Sequence, residues 1–308
     1  MIVSASRRTD IPGYYSEWFM NRLKAGFVIT RNPRNNAQIS RLPLNPELVD
    51  CLVFWTKDAK NILPHLKPMD ELGYKYYFKF TLTPYDRTIE QGLRDKLIIE
   101  DTFMELSQQI GKERVLWRYD PIVLNDSLTI DYHKLQFERL CQKLAPFTAS
   151  VTISFVETYR KLKTPLIREI TDEEKAKLAG FIGETAKACG LIPKACCEKT
   201  DLTSYGIQKA SCIDKVVLER VCGCSLNISS DKNQRHGCGC MESIDIGAYN
   251  TCPNGCVYCY ANDSSVTTLR RYNSHKPNSE MLIGSIAEGE KITDRKGKSN
   301  KQQKISLF

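Results

Sequence analysis

No apolar run in this sequence approaches the roughly 18 residues needed to cross a bilayer, and the opening MIVSASRRTDIP reaches an Arg pair and a proline too soon for a signal peptide. That excludes a membrane role on this reading and leads us to expect a cytoplasmic protein. Histidine is scarce: His65, His133, His236 and His275 are the only four, and none stands in a metallohydrolase or serine-type pattern. No Walker-type loop and no G-x-G-x-x-G fingerprint occurs, so nucleotide hydrolysis and pyridine-nucleotide binding lack support. Internal repeats and coiled-coil heptads are also missing. Cysteine is nearly absent from the first 188 residues, which carry only Cys51 and Cys141.

The remaining eleven of thirteen cysteines fall between Cys189 and Cys259. In a small secreted chain such density would mean disulfides, but this one has 308 residues, an odd cysteine count and no export signal, so metal ligation is the better account. With 42% hydrophobic and 26% charged residues, the composition is that of an ordinary globular chain, not a disordered one. Lys and Arg exceed Asp and Glu by 44 minus 36, giving +8, and part of the excess lies in DRKGKSNKQQK, Asp294 to Lys304. Such a surplus fits either a solvated basic tail or a phosphate-rich partner such as nucleic acid.

Short β-branched or aromatic runs alternate with stretches of helical period, the pattern of a parallel sheet with crossover helices. Strands are expected at IVSAS (2–6), FVIT (27–30), CLVFWT (51–56), YKYYFKFTLT (74–83), RVLWRY (114–119), SVTISF (150–155), LIPKACC (191–197) and ESIDIG (242–247). Between them YYSEWFMNRLKAG, IEDTFMELSQQIGKE, DYHKLQFERLCQKLA and DEEKAKLAGFIGETAKACG have apolar residues three or four apart, as helices do. The expected fold class is α/β, a (β/α) barrel, complete or partial. Its expected parts are β/α repeats over 1–197, a Cys-rich metal-binding insert over 198–241, a last strand with a cysteine loop and helix over 242–272, and a polar basic tail over 273–308 whose ISLF ending could dock on the body.

In such folds the C-terminal strand ends carry the active-site loops. Arg7, Arg8 and Asp10 follow the first strand, Lys57 the third, Arg118 and Asp120 lie around the fifth, and Glu157 follows the sixth. Of these, Arg8, Asp10, Arg118 and Asp120 are the candidates for positioning a substrate; ion pairs and helix caps are the alternative. Aromatic residues beside cations in FWTK, YKYYFKF and LWRYD suit base stacking, although such residues more often fill a barrel core.

The most specific signal is YNTCPNGCVYCYAN, which sets Cys252, Cys256 and Cys259 in the spacing C-x3-C-x2-C with Tyr258 before the last. Three neighbouring thiolates on a cubane cluster leave one iron without a protein ligand, so that iron can bind a small molecule. Pro253 and Gly255 suit a tight loop that turns the thiols inward. Zinc is the alternative occupant, although it usually takes C-x2-C pairs and four ligands.

These residues resemble the signature of the radical S-adenosylmethionine superfamily, and CVYCY is similar to the corresponding stretch of spore photoproduct lyase. The resemblance implies that Cys252, Cys256 and Cys259 hold a [4Fe-4S] cluster, that its open iron and Tyr258 help bind S-adenosylmethionine, and that reductive cleavage yields a 5′-deoxyadenosyl radical. It also implies a reducing electron donor such as flavodoxin or ferredoxin. The wider chain, from SASRRTDIP through FWTKDAK, LWRYDP and DIGAYNTC to CVYCYAN, resembles an uncharacterised bacterial family. In the superfamily the motif follows the first barrel strand, whereas here about seven strands are expected before it. The implied fold is therefore circularly permuted, with ESIDIG beside the first strand.

Upstream, Cys197, Cys212, Cys238 and Cys240 form the preferred set for a second metal centre, with Cys196 an alternative to Cys197; a second [4Fe-4S] cluster is preferred over zinc. His236 is near these cysteines and is either a ligand or a solvated loop residue. Cys222 and Cys224 are either a further pair or free thiols. Two other functions stay open: a nucleic-acid-binding protein folded around zinc or a redox-inert cluster, and an iron-sulfur electron-transfer protein. The substrate of an enzyme, nucleic acid among the options, is not named by the sequence.

Overall fold

The computed structural model describes residues 1–157, 162, 164–235 and 237–302. Its strands are β1 (Ile2–Ala5), β2 (Phe27–Asn32), β3 (Asn35–Pro43), β4 (Cys51–Thr56), β5 (Tyr76–Thr81), β6 (Val115–Ile122), β7 (Ser150–Phe155), β8 (Ile192–Cys196), β9 (Gln208–Ala210), β10 (Ile244–Asp245) and β11 (Ile292–Asp294). The helices are α1 (Ile11–Tyr14), α2 (Ser16–Ala25), α3 (Leu66–Glu71), α4 (Lys96–Ile110), α5 (Ile130–Leu144), α6 (Asp172–Ala188), α7 (Lys215–Cys222) and α8 (Ser265–Asn273).

Eight strands form one parallel sheet in the order β10-β1-β4-β5-β6-β7-β8-β9. ESIDIG does lie beside the first strand: Val3 pairs with Ile244 and Ser4 with Asp245. The sheet's two edges are β10 and β9. FVIT is a strand but not of this sheet. It joins β3 and the tail strand β11 in a separate three-stranded sheet, because the short β2–β3 connection allows only an antiparallel hairpin. The alternating pattern of β3 and the three-residue strands β9 and β11 escaped the sequence reading; strands that short carry almost no periodicity.

Alternation along each strand sorts the core into two faces. Val3, Leu52, Phe54, Tyr76, Phe78, Phe80, Trp117, Val151 and Ile153 pack on the helix side with Phe19, Phe103, Phe137 and Ile182. Ile2, Cys51, Val53, Tyr77 and Leu116 point the other way, onto Ile213, Val217, Leu218 and Leu226 of the Cys-rich segment. That segment adds β9 to the sheet and covers the face away from the helices. Each fully buried Leu, Val or Phe contributes roughly 1.5–3 kcal/mol before entropy is charged against it.

The helices start where side chains can cap them: Asp95 for α4, Thr129 for α5, and a Thr171/Glu174 capping box for α6. Gly26 ends α2 at φ 76°, the left-handed conformation glycine adopts without a Cβ clash. The basic tail, expected as a polar appendage, is tied down. Arg295 donates its backbone N–H to Arg41 O (2.9 Å), and Asp50 accepts from Ser299 Oγ (2.6 Å) and Asn300 N (2.8 Å). The ISLF ending and His236 lie outside the described residues.

Candidate metal centre and active-site cavity

A cavity of about 590 Å³ opens at the C-terminal ends of the parallel strands. Arg8 and Asp10 after β1, Lys57 after β4, Arg118 and Asp120 on β6, and Cys196 on β8 all line it. So do Cys252, Cys256, Tyr258 and Cys259 on one wall and Cys197, Cys212, Cys238 and Cys240 on another. The preferred ligand and substrate-positioning residues therefore line this one cavity, whereas Cys222 and Cys224 do not.

The wall bearing Cys252, Cys256 and Cys259 is fastened residue by residue. Glu90 pairs in an antiparallel bridge with Cys256, Val257 donates to Ile89 O (2.9 Å), and Gly92 donates to Asn254 O (2.9 Å). A Cβ on Gly92 would stand 2.1 Å from Pro253 O, so only glycine permits this approach. Gly255 turns the loop at φ 62°. Asn254 is buried, accepting from Tyr14 Oη (2.7 Å) and donating to Asp10 Oδ2 (3.2 Å). Tyr15 Oη donates to Thr251 O (2.5 Å), and Asn262 donates to Cys252 O (2.7 Å).

Glu90, fully buried, sits behind this loop and accepts from Lys57 Nζ (2.7 Å), Thr83 Oγ1 (2.9 Å), Lys96 and the Tyr258 hydroxyl. Burial pushes its carboxyl up, but the two ammonium groups outweigh that and hold it at about 2. Sequence reasoning missed Glu90 because a lone carboxylate in TIEQGL carries no motif. Tyr258 packs edge-on to Tyr85, with ring centroids 6.3 Å apart.

The three thiols of the loop are free of disulfides, and burial raises the pKa of each, that of Cys256 to about 12 despite the pull of Lys57. The three cysteines are half-buried, and thiols give up their protons when metal binds. Thiols are the donors an iron-sulfur cluster takes, and the loop supplies three of them.

Asp10 is committed to structure. It caps α1 through Gly13 N (2.8 Å), accepts from Lys57 N (2.8 Å), and braces Asn254. Burial lifts its carboxyl to about 6, against the pull of those donors. Arg118 pairs with Asp120 and lies over the Trp55 ring at 5.1 Å, while Ser154 also donates to Asp120. Arg7 covers Trp55 at 5.2 Å. Arg8 donates to Gly247 O (3.3 Å) and lies 5.4 Å from the Tyr249 ring centroid. Asp245, at the end of β10, accepts from Ser6 Oγ (2.6 Å), Arg7 N (2.8 Å) and Gly247 N (2.9 Å), locking that edge to β1.

On the opposite wall Cys196 Sγ lies 3.0 Å from Cys212 Sγ, and Ile213 N donates to Cys240 Sγ (3.4 Å). Among the described residues no three His, Cys, Asp or Glu side chains already stand at the spacing of a single metal ion. Cys222 is apart from both groups, donating to Asp50 O at 3.2 Å.

Comparison with known proteins finds no match among curated proteins and none among solved structures. A family model described as a domain of unknown function (DUF1848) matches residues 2–261, which take in the whole parallel sheet and both cysteine walls, and the chain belongs to that family.

Proposed function

We propose that this protein is a radical S-adenosylmethionine enzyme whose cluster is held by Cys252, Cys256 and Cys259. The observation that carries the proposal is the placement of these three thiols, in C-x3-C-x2-C spacing, on the wall of a 590 Å³ cavity at the C-terminal ends of a parallel sheet. When bound there, a [4Fe-4S] cluster with S-adenosylmethionine supplies reductive cleavage of the cofactor and a 5′-deoxyadenosyl radical that takes a hydrogen atom from substrate.

The chain's own groups do the positioning. Glu90 and Lys57 fix the Tyr258 side of the loop, and Asp10 fixes Asn254 on the other side. Arg8, Arg118 and Asp120 present charge to the cavity for holding a substrate, nucleic acid among the options. On this reading β10 corresponds to the superfamily's first strand, and the sheet is a barrel, complete or partial, whose chain order is rotated. A flavodoxin or ferredoxin serves as electron donor in the cytoplasm.

The test is anaerobic reduction of the reconstituted protein with S-adenosylmethionine, assaying 5′-deoxyadenosine. We expect product with the parent chain and none with Cys256→Ala. Product from both, or from neither at full iron loading, overturns the assignment.

A further inference from the structure

The second cysteine wall gathers three cations, Lys79, Arg7 and Arg118, of which Arg118 is paired with Asp120. Lys79 on β5 is only 4% exposed, and among the described residues it has no carboxylate partner. It sits on the same strand face as Tyr77, looking toward Cys196 and Cys212. Arg118 Nε and one terminal nitrogen of Arg7 are buried with no hydrogen-bond acceptor. A buried ammonium without a counter-charge costs several kcal/mol, and burial lowers the Lys79 pKa; an anionic neighbour would hold it charged. The groups that can supply the negative charge are thiols.

Cys196, Cys212 and Cys240 come from the end of β8, the turn after β9 and the Gly-rich loop before β10, and pack in one buried cluster in which Cys196 Sγ lies 3.0 Å from Cys212 Sγ. Cys197, beside them, takes a left-handed φ of 54°, a conformation costing a non-glycine residue about 1–2 kcal/mol. It stands next to Cys238 and Arg235. Gly239 keeps the Cys238–Cys240 turn close, since a Cβ there would stand 2.5 Å from Ser211 Oγ.

We propose that Cys196, Cys212 and Cys240 are the core ligands of a second, anionic metal–thiolate centre, closed by Cys197 or Cys238 and charge-balanced by Lys79 and Arg7. This moves Cys196 from an alternative to a core ligand, and Cys197 and Cys238 to the closing position. Two thiolates on one tetrahedral metal stand roughly 3.8 Å apart, from a metal–sulfur bond of about 2.3 Å. The 3.0 Å approach of Cys196 and Cys212 must therefore relax by under an ångström on loading zinc, and further for a cluster. The proposal does not rest on the radical assignment: it concerns other cysteines and is read by metal content alone.

The experiment uses the full chain with Cys252, Cys256 and Cys259 all changed to Ala, purified anaerobically, with iron, sulfide and zinc counted per chain. One centre should remain, as four irons with sulfide or as one zinc, and Cys212→Ser added to that background should remove it. Lys79→Met in the same background should at least halve the retained metal. A metal-free triple variant, or one whose thiol count shows a Cys196–Cys212 disulfide instead, overturns the proposal. If the Cys212 variant does not fold, X-ray absorption at the metal edge of the triple variant decides: an all-sulfur shell supports the ligand set, and a mainly oxygen or nitrogen shell refutes it.

Discussion

Glu90 joins two lysines and the loop tyrosine in one buried knot, and its removal leaves two ammonium groups stranded. Glu90→Gln should cost about 3–5 kcal/mol, read as a lower urea midpoint, because breaking one side of a buried pair strands the other. The sign with pH follows. The folded carboxyl titrates at about 2 against an ordinary 4.5, so its contribution is present above 4.5 and fades as pH falls toward 2. A Gln variant should lose stability less steeply across that acid range. Gly92 acts by shape instead of charge. Gly92→Ala should push the Pro253 carbonyl away, costing about 1–3 kcal/mol and lowering the iron retained after anaerobic reconstitution. An alanine variant with parental stability and iron content would show that the loop tolerates displacement there.

At the scale of elements, α5 shows how a strand and helix share a buried polar contact. Fully buried His133 meets Tyr119 Oη at Nδ1 (2.8 Å) and Val123 O at Nε2 (2.8 Å), so Nε2 carries the proton and Nδ1 accepts from tyrosine. Burial lowers its pKa from 6.5 to about 4. Between those values the unfolded chain takes up a proton that the folded chain refuses, so stability falls with pH by up to roughly 3 kcal/mol. His133→Gln should narrow the gap between unfolding free energies measured at pH 7 and pH 4.5; an unchanged gap would remove His133 from the account. The elements most legible in the sequence were those with long periodic patterns, such as α4 to α6, and the β-branched central strands. What stayed hidden depended on distant partners. The β2–β3 hairpin reads as one more repeat until its pairing is seen, and Lys79 in YKYYFKF looks like any alternating surface lysine although it is buried. The cysteine loop was legible because its thiols are neighbours in sequence; Glu90, 166 residues before Cys256, was not.

The whole molecule is closed by its last segment. Lys291 to Lys301 would offer trypsin several sites if loose, yet β11 pairs with β3, Asn300 O accepts from Asn227 N (2.8 Å), and Asp50 clasps Ser299 and Asn300. Under native conditions cleavage there should be slow, and Asp50→Ala should speed it severalfold in a time course followed by mass spectrometry. Equal rates in the two proteins would mean that the clasp contributes nothing. The position of β10 has a consequence for biosynthesis. A chain leaving the ribosome completes β1 and β4 to β9 before Ile244 is made, so the sheet can assemble with one edge vacant beside β1. The final strand then brings Cys252, Cys256 and Cys259 to a chamber whose other walls already stand. Their thiols spend little time in an unfolded nascent chain, where stray oxidation would find them.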